Sequence, residues 1–103
     1  MPLTAPDIKE IRALREHLTE ETAVTPVVRC AAIEGVIGGG TQVIAKLEFL
    51  QRTGTFKARG ALATLHGLTA AELEQGVTAV SAGNHAIAVA YAARALGTTA
   101  KVV

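Results

Sequence analysis

The sequence predicts an α/β fold with parallel strands, in a single incomplete domain over residues 1–103. Three observations carry this. Short apolar runs alternate with a helical pattern, in the order Val77–Val80, a helix from about Asn84 to Leu96, then Lys101–Val103, and such alternation builds βαβ units. Gly76 precedes the first run and Gly97 follows the helix, as expected of helix stops. The chain finishes on Ala100-Lys101-Val102-Val103. A strand there leaves an edge and a face without partners, so continuation into a larger protein is expected.

The first element is expected from about Ala5 to Glu20. Ile8, Ile11, Leu14 and Leu18 recur at helical spacing, which makes one apolar face for packing on a core. Thr4 is the expected N-cap, with Asp7 three residues on as a variant capping box. Pro6 is tolerated in a first turn. Pro26 pushes Thr25 toward extended backbone. Val27–Ala31 and Gln42–Leu47 read as strands of a hairpin, with Gly35–Gly40 as the turn between them. That glycine run lacks the lysine of a phosphate loop and precedes a strand, so it reads as a connection.

A helix follows over Phe56–His66, with Ala58, Ala61, Leu62 and Leu65 on one face. Gly60 weakens it by roughly 1 kcal/mol against alanine and suggests close approach of a backbone or ligand. Thr69-Ala70-Ala71-Glu72 is a capping box for a helix to about Gln75. Val77–Val80 reads as a fully buried strand. On the last helix, Ile87, Tyr91 and Ala95, with Ala88 and Ala92, are expected to line the packed face.

Half of the residues are hydrophobic and the net charge is +1. That composition argues against disorder and against a strong field for nucleic acid or anionic membrane. No apolar stretch approaches the roughly 20 residues of a membrane span. Cys30, the only cysteine, cannot form an internal disulfide, and the start lacks a basic region followed by an apolar run. A cytoplasmic protein is therefore expected. No metal is expected.

Chemistry concentrates in two turns. Thr53-Gly54-Thr55 leads into Phe56 and Lys57 at a helix start. A lysine becomes a nucleophile when it loses a proton, and desolvation favours that loss. Phe56, Ala58, Gly60 and Ala61 give Lys57 apolar company, with Arg59 the exception. Spacing alone leaves open an ordinary surface lysine. The second turn, Ser81-Ala82-Gly83-Asn84-His85, runs from strand to helix. Free N–H groups at a helix start favour anions. Gly83 lets a ligand approach the backbone, and Asn84 offers a donor and an acceptor. The alternative is a helix simply capped by Ser81 or Asn84. His85 on its own reads as structural or exposed.

The run Glu48-Phe49-Leu50-Gln51-Arg52-Thr53-Gly54-Thr55-Phe56-Lys57-Ala58-Arg59-Gly60-Ala61, with Lys46 before it and Ser81–Ala90 after it, resembles the threonine/serine dehydratase (ammonia-lyase) family. These are pyridoxal-phosphate enzymes of fold type II, the tryptophan-synthase-β group. Thr25-Pro26 matches as well, so the resemblance covers roughly residues 22–103. It implies that the chain is an N-terminal segment of a three-layer αβα catalytic domain. It further implies that Lys57 holds pyridoxal 5'-phosphate as a Schiff base, that Phe56 packs on the pyridine ring, and that Asn84 hydrogen-bonds the ring hydroxyl oxygen. Ser81, Ala82, Gly83, Asn84 and His85 are implied to bind the substrate carboxylate.

The implied reaction converts L-threonine or L-serine to a 2-oxo acid and ammonia. The freed Lys57 amine takes the α-proton and the β-hydroxyl leaves. The full-length protein is implied to be a homo-oligomer. Three positions depart from the family pattern. Thr55 replaces a common serine and keeps the hydroxyl. Ala82 stands where the racemases carry a second serine, which favours dehydration over racemisation. Ile87 replaces a common glutamine. The family's glycine-rich phosphate loop and the residue facing the pyridine nitrogen lie further along its chains. Residues 1–103 alone are therefore expected to bind the cofactor poorly and to be inactive. Serine racemase, hydroxyaspartate dehydratase and β-replacement enzymes share the pattern. A non-catalytic interaction or regulatory fragment, or more distantly a nucleotide-binding domain, are the readings from other classes.

Overall fold

Capping chemistry decides where the first helix begins. The computed structural model describes residues 4–103; the start of the chain read for a leader, residues 1–3, lies outside them. Helix α1 spans Ile8–His17, and its N-cap is Asp7 rather than Thr4. The Asp7 carboxylate accepts the N–H groups of Lys9 and Glu10 at 2.8 Å, and Glu10 accepts the Asp7 N–H at 2.9 Å. Asp7 with Glu10 makes the reciprocal box, which Thr4 with Asp7 only half supplies. The helix is shorter than expected and its apolar face is mostly open. Ile8, Ile11 and Leu14 are exposed, and only Leu18, the C-cap, joins the core.

Strands β1 (Val27–Arg29) and β2 (Ile44–Lys46) pair antiparallel, with Val27 opposite Lys46, as the hairpin reading expects. The connection between them differs from that reading. Ala31 is not in the strand but opens helix α2 (Ala31–Ile37), which takes in Gly35. Ala31 and Ala32 are strong helix formers. Glu34 ties the helix to the hairpin, accepting from Arg29 Nε at 2.8 Å and from the Val43 N–H at 2.9 Å. Only Gly38, Gly39 and Gly40 make the turn, with φ of 72°, 64° and 73°, a left-handed run suited to glycine.

Two single-turn 3-10 helices, Glu48–Leu50 and Arg52–Gly54, lead to α3 (Lys57–His66). Ala58, Ala61, Leu62 and Leu65 are its buried face, as the periodicity predicts. Helix α4 (Ala70–Gln75) opens on the expected Thr69–Glu72 box. Strands β3 (Val77–Ala79) and β4 (Ala100–Val102) are parallel neighbours, and α5 (Asn84–Ala95) crosses between them. This is the βαβ unit that the alternation predicts.

Two burial expectations fail here. The stretch 77–80 is not fully buried: Thr78 is exposed and Val80 is 84% exposed. Helix α5 packs on the strand pair, while Thr78 and Lys101, alternating to the other face, stay in solvent. On α5 itself, Ile87 and Ala95 are exposed and Tyr91 is half-buried; Ala88, Val89, Ala92 and Ala93 are buried. A helix so rich in alanine carries a weak apolar stripe, so periodicity alone does not fix its orientation.

The core lies between α3 and α5, the most extensively packed pair. It joins Leu18, Ala61, Leu62, Leu65, Ala88, Val89, Ala92 and Ala93. The Cα radius of gyration is 16.6 Å, with extents of 52 × 30 × 26 Å. A closed domain of this length would have a radius near roughly 13 Å, so the described residues form an extended part of the αβα fold. No helix among them is long and apolar enough to cross a membrane.

Gly76 seats β3 against β4. Its backbone (φ 80°, ψ 177°) occupies a region essentially reserved for glycine, and a Cβ there would meet the Thr99 hydroxyl and carbonyl. Gly76→Ala is expected to lower the stability of the intact protein by roughly 1–3 kcal/mol. In urea melts this appears as a lower midpoint at unchanged slope; an unmoved midpoint would contradict it.

Candidate active site

Lys57 is the first residue of α3. Its amine lies over the Phe56 ring, 5.2 Å from the centroid, within reach of a cation–π contact. Both side chains are exposed, Phe56 to 61%, so an aromatic face and an amine present themselves together. The turn behind them is under strain. Thr53, with φ of 74°, is the one non-glycine residue at positive φ among the described residues, and a β-branched residue is disfavoured there. The Thr53 hydroxyl oxygen is buried without a hydrogen-bond partner. Thr55 Oγ1 accepts the Lys57 N–H at 3.3 Å, a long bond.

The second turn leaves the carboxyl end of β3. The Ser81 N–H donates to the Val103 carbonyl at 3.0 Å, closing the β3–β4 ladder. Ser81 Oγ accepts the Gly83 N–H at 3.2 Å. Gly83 is the N-cap of α5, and no side chain caps the helix. Neither Ser81 nor Asn84 serves as the cap; Asn84 is the first helical residue. The first-turn N–H groups are thus left to an outside acceptor.

A half-open cavity of about 680 Å³ borders α3, the end of α4 and β3, and Phe56, Lys57 and His85 stand on its wall. Its size suits a small-molecule site. His85 comes to the same cavity as Lys57, whereas Ser81, Ala82, Gly83 and Asn84 lead up to His85 without lining it. Thr64 and Glu72 also line the cavity; nothing in the local sequence marks out Thr64, and Glu72 is legible there only as the acid of the Thr69 capping box.

A polar network behind Lys57 escapes sequence reasoning. Arg59 grips Glu48 through two bonds, Nε to Oε2 at 2.7 Å and Nη2 to Oε1 at 3.0 Å. The buried Thr25 donates its hydroxyl to Glu48 Oε1 at 2.5 Å. Lys46 Nζ lies 3.9 Å from Glu48 and donates to the Thr25 carbonyl at 3.1 Å. The buried Gln51 exchanges two bonds with the Ala23 backbone, at 2.7 and 2.9 Å. The Arg59 hydrogen bond holds the Glu48 carboxyl down to about 2, helped by Thr25 and opposed by burial.

An amine beside an aromatic face and a helix start without a side-chain cap meet at a cavity beside a parallel strand pair. The chain belongs to the pyridoxal-phosphate dependent enzyme family, whose family model matches residues 18–103. It is 51% identical over 100 residues to a phenylserine dehydratase of Ralstonia pickettii, covering 97% of this chain and 30% of the relative. It is 39% identical over 101 residues to an L-threonine ammonia-lyase of Thermotoga maritima, covering 98% and 24%. The structure of maize serine racemase superposes with a TM-score of 0.80 at 34% identity, covering 96% of this chain and 30% of that one. The chain thus spans about 30% or less of the length of these relatives.

The residues present fit the family's cofactor. Lys57 would offer an amine to its aldehyde and Phe56 an open face to a planar ring; the N–H groups at the start of α5 remain open to a carboxylate of the substrate.

Glu48 also links structure to acid stability. A carboxyl held near 2 instead of 4.5 adds stability that is complete above about pH 4.5 and disappears as pH falls toward 2. Discounted for the partial exposure of Arg59, the effect is on the order of 2 kcal/mol. Glu48→Gln is expected to remove about that much at pH 7 and to flatten the pH dependence between 4.5 and 2. Chemical denaturation of both proteins across that range checks this; parallel curves at all pH values would refute it.

Proposed function

We propose that the intact protein is a pyridoxal-phosphate-dependent dehydratase that turns β-hydroxy-α-amino acids, L-threonine or L-serine, into a 2-oxo acid and ammonia. One observation carries the reading: the Lys57 amine rests on the Phe56 ring at the open start of α3 and borders the same cavity as His85. Pyridoxal phosphate, when bound, supplies an aldehyde for amines and a ring that withdraws electrons from Cα.

This chain's residues do the rest. Lys57 would hold the cofactor through its amine, and the same amine would take the proton from Cα. Phe56 would support one face of the ring, and Asn84 would hydrogen-bond the ring hydroxyl oxygen. The Ser81–His85 turn receives the substrate carboxylate on the N–H groups of α5, which fixes the orientation of the Cα bonds. The β-hydroxyl leaves as water, and hydrolysis of the resulting enamine releases ammonia.

Similarity to a phenylserine dehydratase and an L-threonine ammonia-lyase supports dehydration. So does Ala82, which lacks the hydroxyl that family racemases use on the opposite face. The likeness to maize serine racemase favours racemisation as the second reading. The intact enzyme is proposed to be a homo-oligomer, and a cytoplasmic one in keeping with the free Cys30.

The intact protein, supplied with cofactor, is tested on L-threonine, L-serine and 3-phenylserine. Release of ammonia with a 2-oxo acid is expected; a D-amino acid as the main product moves the reading to racemase. Lys57→Ala is expected to lower kcat on the order of 10²–10⁴-fold or more, and full activity in that variant would sink the assignment.

A further inference from the structure

Helix α3 begins without the device that usually fixes a helix start. Its N-cap, Phe56, has no side chain able to accept a hydrogen bond, and the only side-chain support at that end is the 3.3 Å contact from Lys57 N–H to Thr55. Gly60 then loosens the same turn. Such a start is prone to fray, yet it carries the amine of the proposed site. Something else must hold it.

We propose that Glu48 and Arg59 are positioning residues that replace the missing cap and hold Lys57 in place; this rests on Lys57 being the cofactor lysine. Arg59 lies two residues beyond Lys57, about 200° around the helix. It can therefore anchor one side of the first turn while Lys57 faces the cavity. The anchor is two-pronged, at 2.7 and 3.0 Å, and a paired fork fixes direction as well as distance. Glu48 is itself immobilised by Thr25, which is buried, and by Lys46. Gln51, three residues after Glu48, bolts the intervening turn to the Ala23 backbone. The path from the body of the fold to the first turn of α3 is thus continuous: Thr25, Glu48, Arg59. No part of it touches the cavity wall, so its influence on chemistry passes through Lys57.

The test uses the intact protein with two substitutions. Glu48→Gln keeps the size and loses the charge. Arg59→Lys keeps the charge and loses the fork, and it carries the test if Glu48→Gln does not fold. Hydrogen exchange read by mass spectrometry compares a peptide over residues 55–62 with one over residues 86–95. In both variants exchange over residues 55–62 is expected to accelerate at least about tenfold more than exchange over residues 86–95, which follows the loss of overall stability alone. Borohydride trapping of added pyridoxal phosphate on Lys57 is expected to fall several-fold. The value of kcat is expected to drop on the order of 10²-fold, with KM changing far less.

Faster exchange in both peptides alike means that the pair stabilises the fold as a whole and overturns the proposal. Unchanged exchange and trapping also overturn it. If the unsubstituted protein traps no cofactor on Lys57, the functional reading fails instead, and the two peptides still report whether the pair orders the start of α3.

Discussion

Alanine sets the distance between the two helices that carry the site. Ala58 and Ala61 on α3 and Ala88, Ala92 and Ala93 on α5 are all buried, and among the described residues Leu62 is the only large side chain with no exposure at all. Small side chains let helices approach closely, and added methylenes in such a seam force backbone shifts. Lys57 opens one of these helices and His85 sits in the first turn of the other. The seam therefore governs the separation of the two turns more directly than the turns themselves do. The short strands add little to this: two-stranded pairs have marginal stability of their own.

Around that seam the polar groups fall into two kinds. Thr25, Glu48, Gln51 and Arg59 satisfy one another and the backbone, as buried polar groups must. Thr53 departs from this, with left-handed backbone and a buried hydroxyl oxygen that lacks a partner, and Glu21 Oε2 and His66 Nε2 are likewise buried without one. Strain persists where the surroundings over-determine it, and such residues gather at working sites. Here the surroundings are identifiable. Gln51 and Arg52, the two residues before Thr53, are both tied down: Gln51 donates to the Ala23 carbonyl at 2.9 Å and Arg52 to the Glu20 carbonyl at 2.8 Å. The strained residue sits four positions before Lys57.

How far the sequence discloses this depends on how local each signal is. The Thr69–Glu72 box, the glycine stop at Gly76 and the buried face of α3 need only neighbours three or four residues apart, and the structure has them. The first helix offers two overlapping boxes, and charge favours the second. Helix α2 is hidden by Gly35, which reads as a turn until the alanines before it are weighed. The face of α5 and the exposure of β3 depend on what packs against them, which no window of sequence contains. In the site, Phe56 and Lys57 are adjacent and legible together. Glu48 and Arg59 are eleven positions apart across two 3-10 turns and a helix start, so only the folded backbone makes them a pair.

Electrostatics separates the site helices from the others. Helices α1, α2 and α4 each carry an acidic residue in the first turn, Glu10, Glu34 and Glu72. Those carboxylates occupy the positive end of the helix dipole. Helices α3 and α5 have none, and neither has a side-chain cap. The chain thus caps and neutralises the starts of α1 and α4, places Glu34 without a cap near that of α2, and puts no acid at the two that bear Lys57 and the Ser81–His85 turn. An unneutralised start is a standing cost unless an outside anion occupies it. The glycine turn at Gly38–Gly40 is the opposite case. It follows the carboxyl end of α2, where the dipole is negative and repels phosphate. Among the described residues, then, the favourable places for an anionic ligand coincide with the two turns that carry Lys57 and the loop proposed to receive the substrate carboxylate.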